Sequence, residues 1–329
     1  MVETDSGSGR LTQTELQTIR QWGEQLRAEP RLTLWGSDDP RTSELRAFCA
    51  VLTEFAPQVR VTERMESRNG LPALAPGRYV IYRGVPLGTE LAAFLGVLAE
   101  FADVAVDDHP MPDAFRLKLY VGQQCPHCPR VFSTLAPIAR RLEVGLDVVD
   151  ATLFEETATA DRAGAVPTLI VDGRVRVVGS VAAHDVEPLL TNPHALRPSS
   201  LRLLLENGNA GAIAALIREQ GGAFVGLVDL LCDATFSVRL GAMAVIEQIA
   251  DGRPELAAQL ADPLWEQFDQ VSDEVQGDLS YLFGKMRDPR LVPRLRAVVD
   301  GEYDSEVKEA ARDALDELEQ GSPHRSSKR

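Results

Sequence analysis

The sequence predicts an α/β region followed by an all-α region. Up to about residue 190, short apolar runs bounded by turn residues alternate with amphipathic helical patterns. Beyond residue 200 every patterned run has helical spacing, and no strand is apparent. Residues 191–200, TNPHALRPSS, carry two prolines, an asparagine and two serines, so they are predicted to link the two regions.

The first part of the α/β region, residues 11–108, predicts two strands and two helices in alternation. Residues 1–10 before it are predicted to be disordered. The predicted strands are LTLW from Leu32 and RYVIYRG from Arg78, and the predicted helices are SELRAFCAVLTEFA from Ser43 and TELAAFLGVLAEFA from Thr89.

The second part, residues 109–190, predicts the order β-α-β-α-β-β-α. The pattern resembles that of the first part, which therefore looks like a degenerate copy. The predicted elements are the strand FRLKLYV from Phe115, a helix opened by CPHCPRVFSTLAPIARRL, the buried strand LDVVD from Leu146, a polar helix, the hairpin PTLIVDGRVRVVGS turning at Asp172 and Gly173, and a last helix over 181–190.

The all-α part, residues 201–320, contains three runs with apolar or small residues at equal offsets. They are SVRLGAMAVIEQI from Ser237, EVQGDLSYLFGKM from Glu274 and EVKEAARDALDEL from Glu306, an interval in the thirties. Each follows another predicted helix. This part resembles HEAT repeats, which implies stacked helix pairs; a helical bundle without repeats is the alternative. The small, polar and basic residues 321–329 are predicted to be a disordered tail.

Charge and hydropathy exclude several classes of partner. The net charge of −15 argues against nucleic acid and anionic membranes, because both require clustered Lys and Arg. The chain starts with MVETDSGSGR, without a basic segment followed by an apolar one, and it has no apolar run of bilayer length. A cytoplasmic location is therefore expected.

Chemistry concentrates at CPHCPR, from Cys125 to Arg130. The sequence has four cysteines, and only Cys125 and Cys128 are close together. After a strand and at a helix start, unpaired amides and the helix dipole would stabilise a Cys125 thiolate, which predicts Cys125 as nucleophile. Cys128, one turn on, is predicted to resolve a mixed disulfide. Pro126 suits a first helical turn, and a protonated His127 would stabilise the thiolate further.

The cysteine pair has two other interpretations, a structural zinc site and an incidental pair. A structural zinc site needs four ligands, typically a second cysteine pair or a spaced histidine pair. Cys49 and Cys232 are isolated, and the histidines at 109, 184, 194 and 324 are scattered. A redox couple is therefore favoured over a zinc site and over an incidental cysteine pair. No metal or cofactor is expected.

The segment from about residue 114 to 190 resembles a thioredoxin fold. In that family a Val-Pro-Thr after the second helix supplies a cis-proline that faces the cysteine pair. Here the matching residues are Val166, Pro167 and Thr168. The resemblance implies that Pro167 docks substrate, with Val166 and Thr168 beside it.

The tandem arrangement over residues 10–190 is similar to the N-terminal domain of the alkyl hydroperoxide reductase flavoprotein and to glutaredoxin-like protein disulfide oxidoreductases. The first copy has GSDDPRT where the second has GQQCPHC. DATLFEETATADRAGAVPTLIVDG from Asp150 and RGVPLGTEL from Arg83 follow that family. The family carries a glutamate near the dithiol; the resemblance places Glu90 there as a proton acceptor.

The chain departs from that family because helical repeats, and no G-x-G-x-x-G segment, follow residue 190. The expected function is a thiol-disulfide oxidoreductase that exchanges electrons with protein thiols and disulfides, as a reductase or an electron-transfer adaptor with the repeats as docking module. A flavoprotein reductase and a peroxiredoxin are the partners that the resemblance implies. The Pro-His dipeptide resembles that of strongly oxidising disulfide oxidases, so the direction stays open. The alternative is a non-catalytic scaffold or chaperone-like protein acting through the repeats.

Overall fold

The computed structural model of the protein describes residues 11–65, 70–102 and 115–320. Contacts along the chain divide it into two compact units, with the division between Leu190 and Thr191. The predictions for residues 1–10 and 321–329, and the boundary predicted at 108–109, lie outside the described residues. None of the helices described is both long and apolar enough to cross a bilayer.

The first unit is built on a mixed β-sheet with helices packed against it. Its strands are β1 (Arg31–Trp35), β2 (Arg60–Arg64), β3 (Ala73–Gly77), β4 (Val80–Arg83), β5 (Phe115–Val121), β6 (Gly145–Asp150), β7 (Thr168–Val171) and β8 (Val175–Val178). Its helices are α1 (Gln13–Gln25), α2 (Thr42–Phe55), α3 (Glu90–Glu100), α4 (Cys128–Leu142), α5 (Glu155–Ala160) and α6 (Ala183–Thr191).

The eight strands form one sheet in the order β2-β1-β3-β4-β6-β5-β7-β8. In the first half β1 is parallel to β2 and antiparallel to β3, and β3 is antiparallel to β4. The second half repeats this pattern with β5 parallel to β6 and antiparallel to β7, and with β7 antiparallel to β8. The halves meet where β4 pairs in parallel with β6. The sequence did not predict this shared sheet.

Three elements of the first half escaped prediction. Helix α1 begins after Thr12, whose side chain and that of Glu15 form a capping box. Strand β2 is an edge strand of mostly exposed, charged residues without apolar alternation. Strand β3, ALAPG, contains a proline and a glycine, which argue against a central strand. It is nevertheless fully buried, and its register with β4 shifts between Leu74 and Gly77, where Pro76 lies.

Buried aromatic side chains form a continuous set of ring contacts that joins the two halves of this unit. Phe94 of α3 meets Phe48 of α2 at 6.1 Å and Tyr82 of β4 at 5.4 Å between ring centroids, and Tyr82 meets Phe132 of α4 at 5.7 Å. All four rings are buried. Helix α4, which begins at Cys128, is therefore packed against the first half through β4.

A buried ion pair also joins the halves. The Arg83 guanidinium on β4 donates from Nε to both carboxylate oxygens of Asp147 on β6, at 2.9 and 3.2 Å, and from Nη1 to the Leu71 carbonyl at 2.8 Å. Both residues are buried. Because each charge is paired and hydrogen-bonded, the pair fixes which strand edges meet at the junction.

The second unit is helical throughout its described residues. Its α-helices are α7 (Pro198–Glu206), α8 (Ala210–Gln220), α9 (Leu227–Leu231), α10 (Phe236–Gly252), α11 (Pro254–Ala257), α12 (Ala261–Gln267), α13 (Asp273–Lys285), α14 (Val292–Asp300) and α15 (Ser305–Gln320). The predicted linker is shorter than expected, since residues 193–195 form a 3₁₀ turn capped by Asn192 and α7 starts at Pro198. A proline in the first turn of a helix is tolerated.

Helices α10, α13 and α15 correspond to the three sequence runs in which apolar or small residues recur at the same positions. Their matched apolar residues are buried, apart from Leu315 of α15, which is half-buried. Arg239 of α10, 1% exposed, reaches Asp278 of α13 at 2.8 Å and Glu274 at 2.5 Å. Its Nη1 also donates to the carbonyls of Asp233 and Ala234. One arginine thus joins α10, α13 and the turn that precedes α10.

Candidate dithiol site

The cysteine pair lies at the carboxyl end of β5. A turn follows the strand, in which the Cys125 amide donates to the Gly122 carbonyl at 2.9 Å. Helix α4 begins at Cys128, with His127 as N-cap. The prediction that the helix begins at Cys125 is therefore wrong. The turn after β5 ends at Cys125, and the helix begins at Cys128. Pro129, and not Pro126, occupies the first helical turn, where its missing amide hydrogen costs no intrahelical bond.

The two sulfurs are within bonding distance, and the Cα atoms are 5.5 Å apart. Cys128 is fully buried, whereas Cys125 is 9% exposed. The Cys128 amide donates to Sγ of Cys125 at 3.1 Å. A backbone amide at the start of α4 is therefore directed at Sγ of Cys125, and Cys125 is the more exposed of the two cysteines.

A groove of about 650 Å³ opens in front of Cys125. Its lining residues are Gly122, Gln123, Gln124, Cys125, Pro126, His127, Asp150, Thr152, Leu153 and Val166. The Val166 carbonyl oxygen is 3.6 Å from Sγ of Cys125. The Val166–Pro167 peptide bond is cis, as the thioredoxin resemblance implied. Besides Cys125, the predicted site residues Val166 and His127 therefore face this groove. Pro167 directly follows Val166 in the chain.

Thr168 and His127 have different surroundings. Thr168 is buried as the first residue of β7, and its hydroxyl donates to the Ala165 carbonyl at 2.6 Å. This hydrogen bond spans Val166 and Pro167. The Thr168 side chain is not part of the groove lining. His127 is exposed. Its ring is therefore accessible to a partner that enters the groove.

Asp150 is a groove residue that sequence reasoning missed. It ends β6, is 1% exposed, and its Oδ1 accepts from the amides of Thr152 and Leu153. Gln123 donates to its Oδ2 at 3.2 Å. A signal was available, since the adjacent parallel strands β5 and β6 end at the same sheet edge and Asp150 closes LDVVD.

Glu90 is the first residue of α3 and is fully buried. Burial raises its pKa to about 7, with a further increase from the Asp150 charge, while the Tyr82 hydroxyl, 3.5 Å from Oε2, opposes the rise. Oε1 has no hydrogen-bond partner among the described residues. A carboxyl group in this setting changes its protonation state near neutral pH.

The two remaining cysteines differ from the pair. Cys49 is buried in α2, and burial, together with the Glu63 charge, raises its pKa to about 12. Cys232 is half-buried, and burial with the Asp229 charge raises its pKa as well. Raised thiol pKa values leave little thiolate at neutral pH, so neither side chain is an effective nucleophile.

Comparison with known families identifies the class of the second half. Residues 115–190 match the family model described as Thioredoxin domain. The match begins at β5 and ends within α6, so it contains the cysteine pair, the cis peptide bond and the groove. This segment has a thioredoxin fold.

Particular solved structures are similar to the chain. One is the NTD_N/C domain of alkylhydroperoxide reductase AhpF from Enterococcus faecalis, at 16% identity, with a TM-score of 0.44, covering 55% of this chain and 100% of that chain. Another is a protein disulfide oxidoreductase from Aeropyrum pernix, at 15% identity, with a TM-score of 0.43, covering 55% of this chain and 93% of that chain. No curated protein sequence matches the chain.

Proposed function

We propose that this protein is a thiol-disulfide oxidoreductase that exchanges electrons with partner proteins through Cys125 and Cys128. The observation that carries the proposal is a cysteine pair at disulfide distance in a thioredoxin fold, with one sulfur at an open groove and the other buried. This asymmetry supports different roles for the two thiols, with Cys125 as the nucleophile and Cys128 as the resolving cysteine.

The reaction is two successive thiol-disulfide exchanges. In the dithiol form the Cys125 thiolate attacks one sulfur of a partner disulfide, so that a mixed disulfide forms and the partner's other sulfur leaves as a thiolate. The Cys128 thiol then loses its proton and attacks Sγ of Cys125. The partner's second sulfur leaves as a thiolate and takes up a proton. Two electrons pass to the partner, and the chain is left with the Cys125–Cys128 disulfide.

Glu90 is proposed to accept the Cys128 proton. Its pKa of about 7 gives a carboxylate that is available as a base near neutral pH and that can return the proton in the reverse reaction. Its neighbour Thr89 donates a hydrogen bond to the Cys125 carbonyl at 3.0 Å, which brings the start of α3 to the dithiol loop. Oε1 has no described partner that would compete for a proton.

Partner docking is proposed at Val166, Pro167 and Thr168. The Val166 carbonyl lies 3.6 Å from Sγ of Cys125, so an extended partner segment along Val166 would bring its own sulfur to Cys125. His127, which also lines the groove, is proposed to contact the same segment or to favour the Cys125 thiolate when protonated.

The wider architecture extends the proposal. We propose that residues 11–102 are a second thioredoxin-like fold without a cysteine pair, since the strand order and directions of the first half repeat those of the second. Residues 201–320 are proposed to be HEAT-like repeats that dock a partner, such as a flavoprotein reductase or a peroxiredoxin, in the cytoplasm. The equal offsets of buried residues in α10, α13 and α15 support the repeat assignment.

The test is insulin disulfide reduction with dithiothreitol as electron source. Cys125→Ser is expected to abolish the activity because the accessible nucleophile is lost. Cys128→Ser, reduced beforehand and then freed of dithiothreitol, is expected to accumulate a mixed disulfide with insulin that survives non-reducing electrophoresis. Cys232→Ser is the matched control and is expected to behave as wild type. Equal activity in wild type and Cys125→Ser would rule out catalysis and favour the scaffold alternative.

The direction of electron flow has its own measurement. Equilibration of the pair with glutathione buffers gives the reduction potential, and proteins of this class range from roughly −270 to −120 mV. A value at the reducing end is expected for a reductase or adaptor. A value at the oxidising end would assign the protein to the oxidases instead.

A further inference from the structure

A short segment of the half that lacks the cysteine pair is hydrogen-bonded to the loop that carries Cys125. Thr89 donates from its amide to the Gln123 carbonyl at 3.0 Å. Its hydroxyl lies 3.1 Å from the same carbonyl oxygen and 3.0 Å from that of Cys125. Two carbonyl groups of the dithiol loop are therefore held by one residue that lies outside the thioredoxin match.

The residue before Thr89 fits against the same loop. Gly88 has φ +58°, and a Cβ atom placed there would lie 2.5 Å from the Gln123 carbonyl oxygen. Only glycine permits this approach without displacing the loop. The Gly88 amide donates to Oε1 of Glu15 at 2.7 Å, and the other carboxylate oxygen of Glu15 accepts from the Thr12 amide. Helix α1 thus holds Gly88, and Gly88 and Thr89 hold the dithiol loop.

These contacts fix Cys125 from both sides. Its amide is bonded to Gly122 within the turn, and its carbonyl is bonded to Thr89. With both peptide groups held, the side chain is directed to the Cys128 amide at 3.1 Å and faces the Val166 carbonyl. The amide that stabilises a Cys125 thiolate is effective only while this orientation lasts, since a hydrogen bond weakens steeply when its geometry is lost.

We propose that Thr89 is a positioning residue for Cys125, so that the half without a cysteine pair sets the reactivity of the dithiol in the other half. This inference rests on the proposed oxidoreductase function and adds to it a residue that touches neither the partner nor the sulfurs. The hydroxyl is the functional group, because serine in its place can make the same two contacts and valine, of the same shape, cannot.

The test is the alkylation rate of Cys125 in the reduced full-length protein, measured with iodoacetamide near neutral pH by mass spectrometry of the Cys125 peptide. Thr89→Val is expected to slow alkylation about fivefold, the effect of one lost hydrogen bond of ordinary net strength. Thr89→Ser is expected to restore the wild-type rate. Thr134→Val is the matched control, because it removes a hydroxyl that donates to a backbone carbonyl of α4 at 2.9 Å, away from the dithiol loop.

The outcomes separate this inference from the proposed function. Slow alkylation in Thr89→Val with recovery in Thr89→Ser supports the positioning role, and a wild-type rate in Thr89→Val overturns it while insulin reduction by the wild type still stands. If Thr89→Val does not fold, Thr89→Ala decides, since it also removes the hydroxyl and introduces a smaller side chain. Slower alkylation then supports the role and an unchanged rate overturns it. A wild type that reduces no insulin contradicts the proposed function itself.

Discussion

The carboxyl group of Glu90 is fully buried, and this burial makes the free energy of unfolding depend on pH. Its pKa rises from the ordinary value of 4.5 to about 7, chiefly because burial disfavours the carboxylate. Between these two values the unfolded chain has released the proton and the folded chain retains it. The free energy of unfolding therefore falls as the pH rises through this range, and the loss is complete above the folded-state pKa.

Replacement of Glu90 by glutamine is expected to remove this pH dependence. Relative to Glu90→Gln, the wild type is expected to lose about 2 to 3 kcal/mol of unfolding free energy between pH 5 and pH 8, at roughly 1.4 kcal/mol per pKa unit. Urea unfolding at a series of pH values measures the difference. Glu54→Gln, at an exposed helical position, is the control and is expected to follow the wild type. Parallel curves for wild type and Glu90→Gln would show that Glu90 does not titrate in this range.

At this scale, short motifs were predictable and long-range contacts were not. The cysteine pair follows from its spacing, and the cis bond before Pro167 follows from the family resemblance. Thr89 was missed because its role arises from contacts with Gln123 and Cys125 that no local pattern shows. Asp150 was missed although it closes a predicted strand, because its contact with Gln123 joins residues 27 positions apart.

Among the elements, those with clear periodicity were predicted and those with competing signals were not. Strand β5 matches its predicted range, and β7 and β8 turn at Asp172 and Gly173, both of which have positive φ. Strand β3 was missed because Pro76 and Gly77 are poor strand residues whose cost is offset by complete burial between β1 and β4. Helix α1 could have been found, since Thr12 and Glu15 are a recognisable start signal.

The contact between α10 and α13 gives a prediction for the second unit. Arg239→Ala is expected to lower its unfolding free energy by about 2 to 3 kcal/mol, because two carbonyls and two carboxylates lose a buried donor. Arg253→Ala, which removes an exposed ion pair to Glu255 in the same unit, is expected to have little effect. Denaturation followed by Trp265 fluorescence measures both. Equal effects of the two substitutions would contradict the structural importance of Arg239.

For the whole molecule, the division at Leu190 and Thr191 predicts that the dithiol chemistry does not need the helical unit. A fragment of residues 1–192, which retains all of α6, is expected to fold and to alkylate at Cys125 as fast as the full chain. Circular dichroism and the iodoacetamide rate measure this. A folded fragment with much slower alkylation would show that the helical unit contributes to the site.

The order of the two regions was predictable from the change in periodicity near residue 190. The shared sheet was not, since the pairing of β4 with β6 brings together strands that are about 60 residues apart and that are not linked by a recognisable turn. Pairing of this kind depends on which buried edges are complementary, and the Arg83–Asp147 ion pair contributes to that choice.

The β4–β6 junction has a consequence for solubility. Every residue of these two strands is buried, and each strand would be the edge of its sheet if the halves were separated. An unpaired apolar edge is a template for strand addition by another chain and hence for aggregation. In the intact protein the outermost strands are instead β2, which is rich in arginine, and the short β8. The half without a cysteine pair therefore also shields the redox half from self-association.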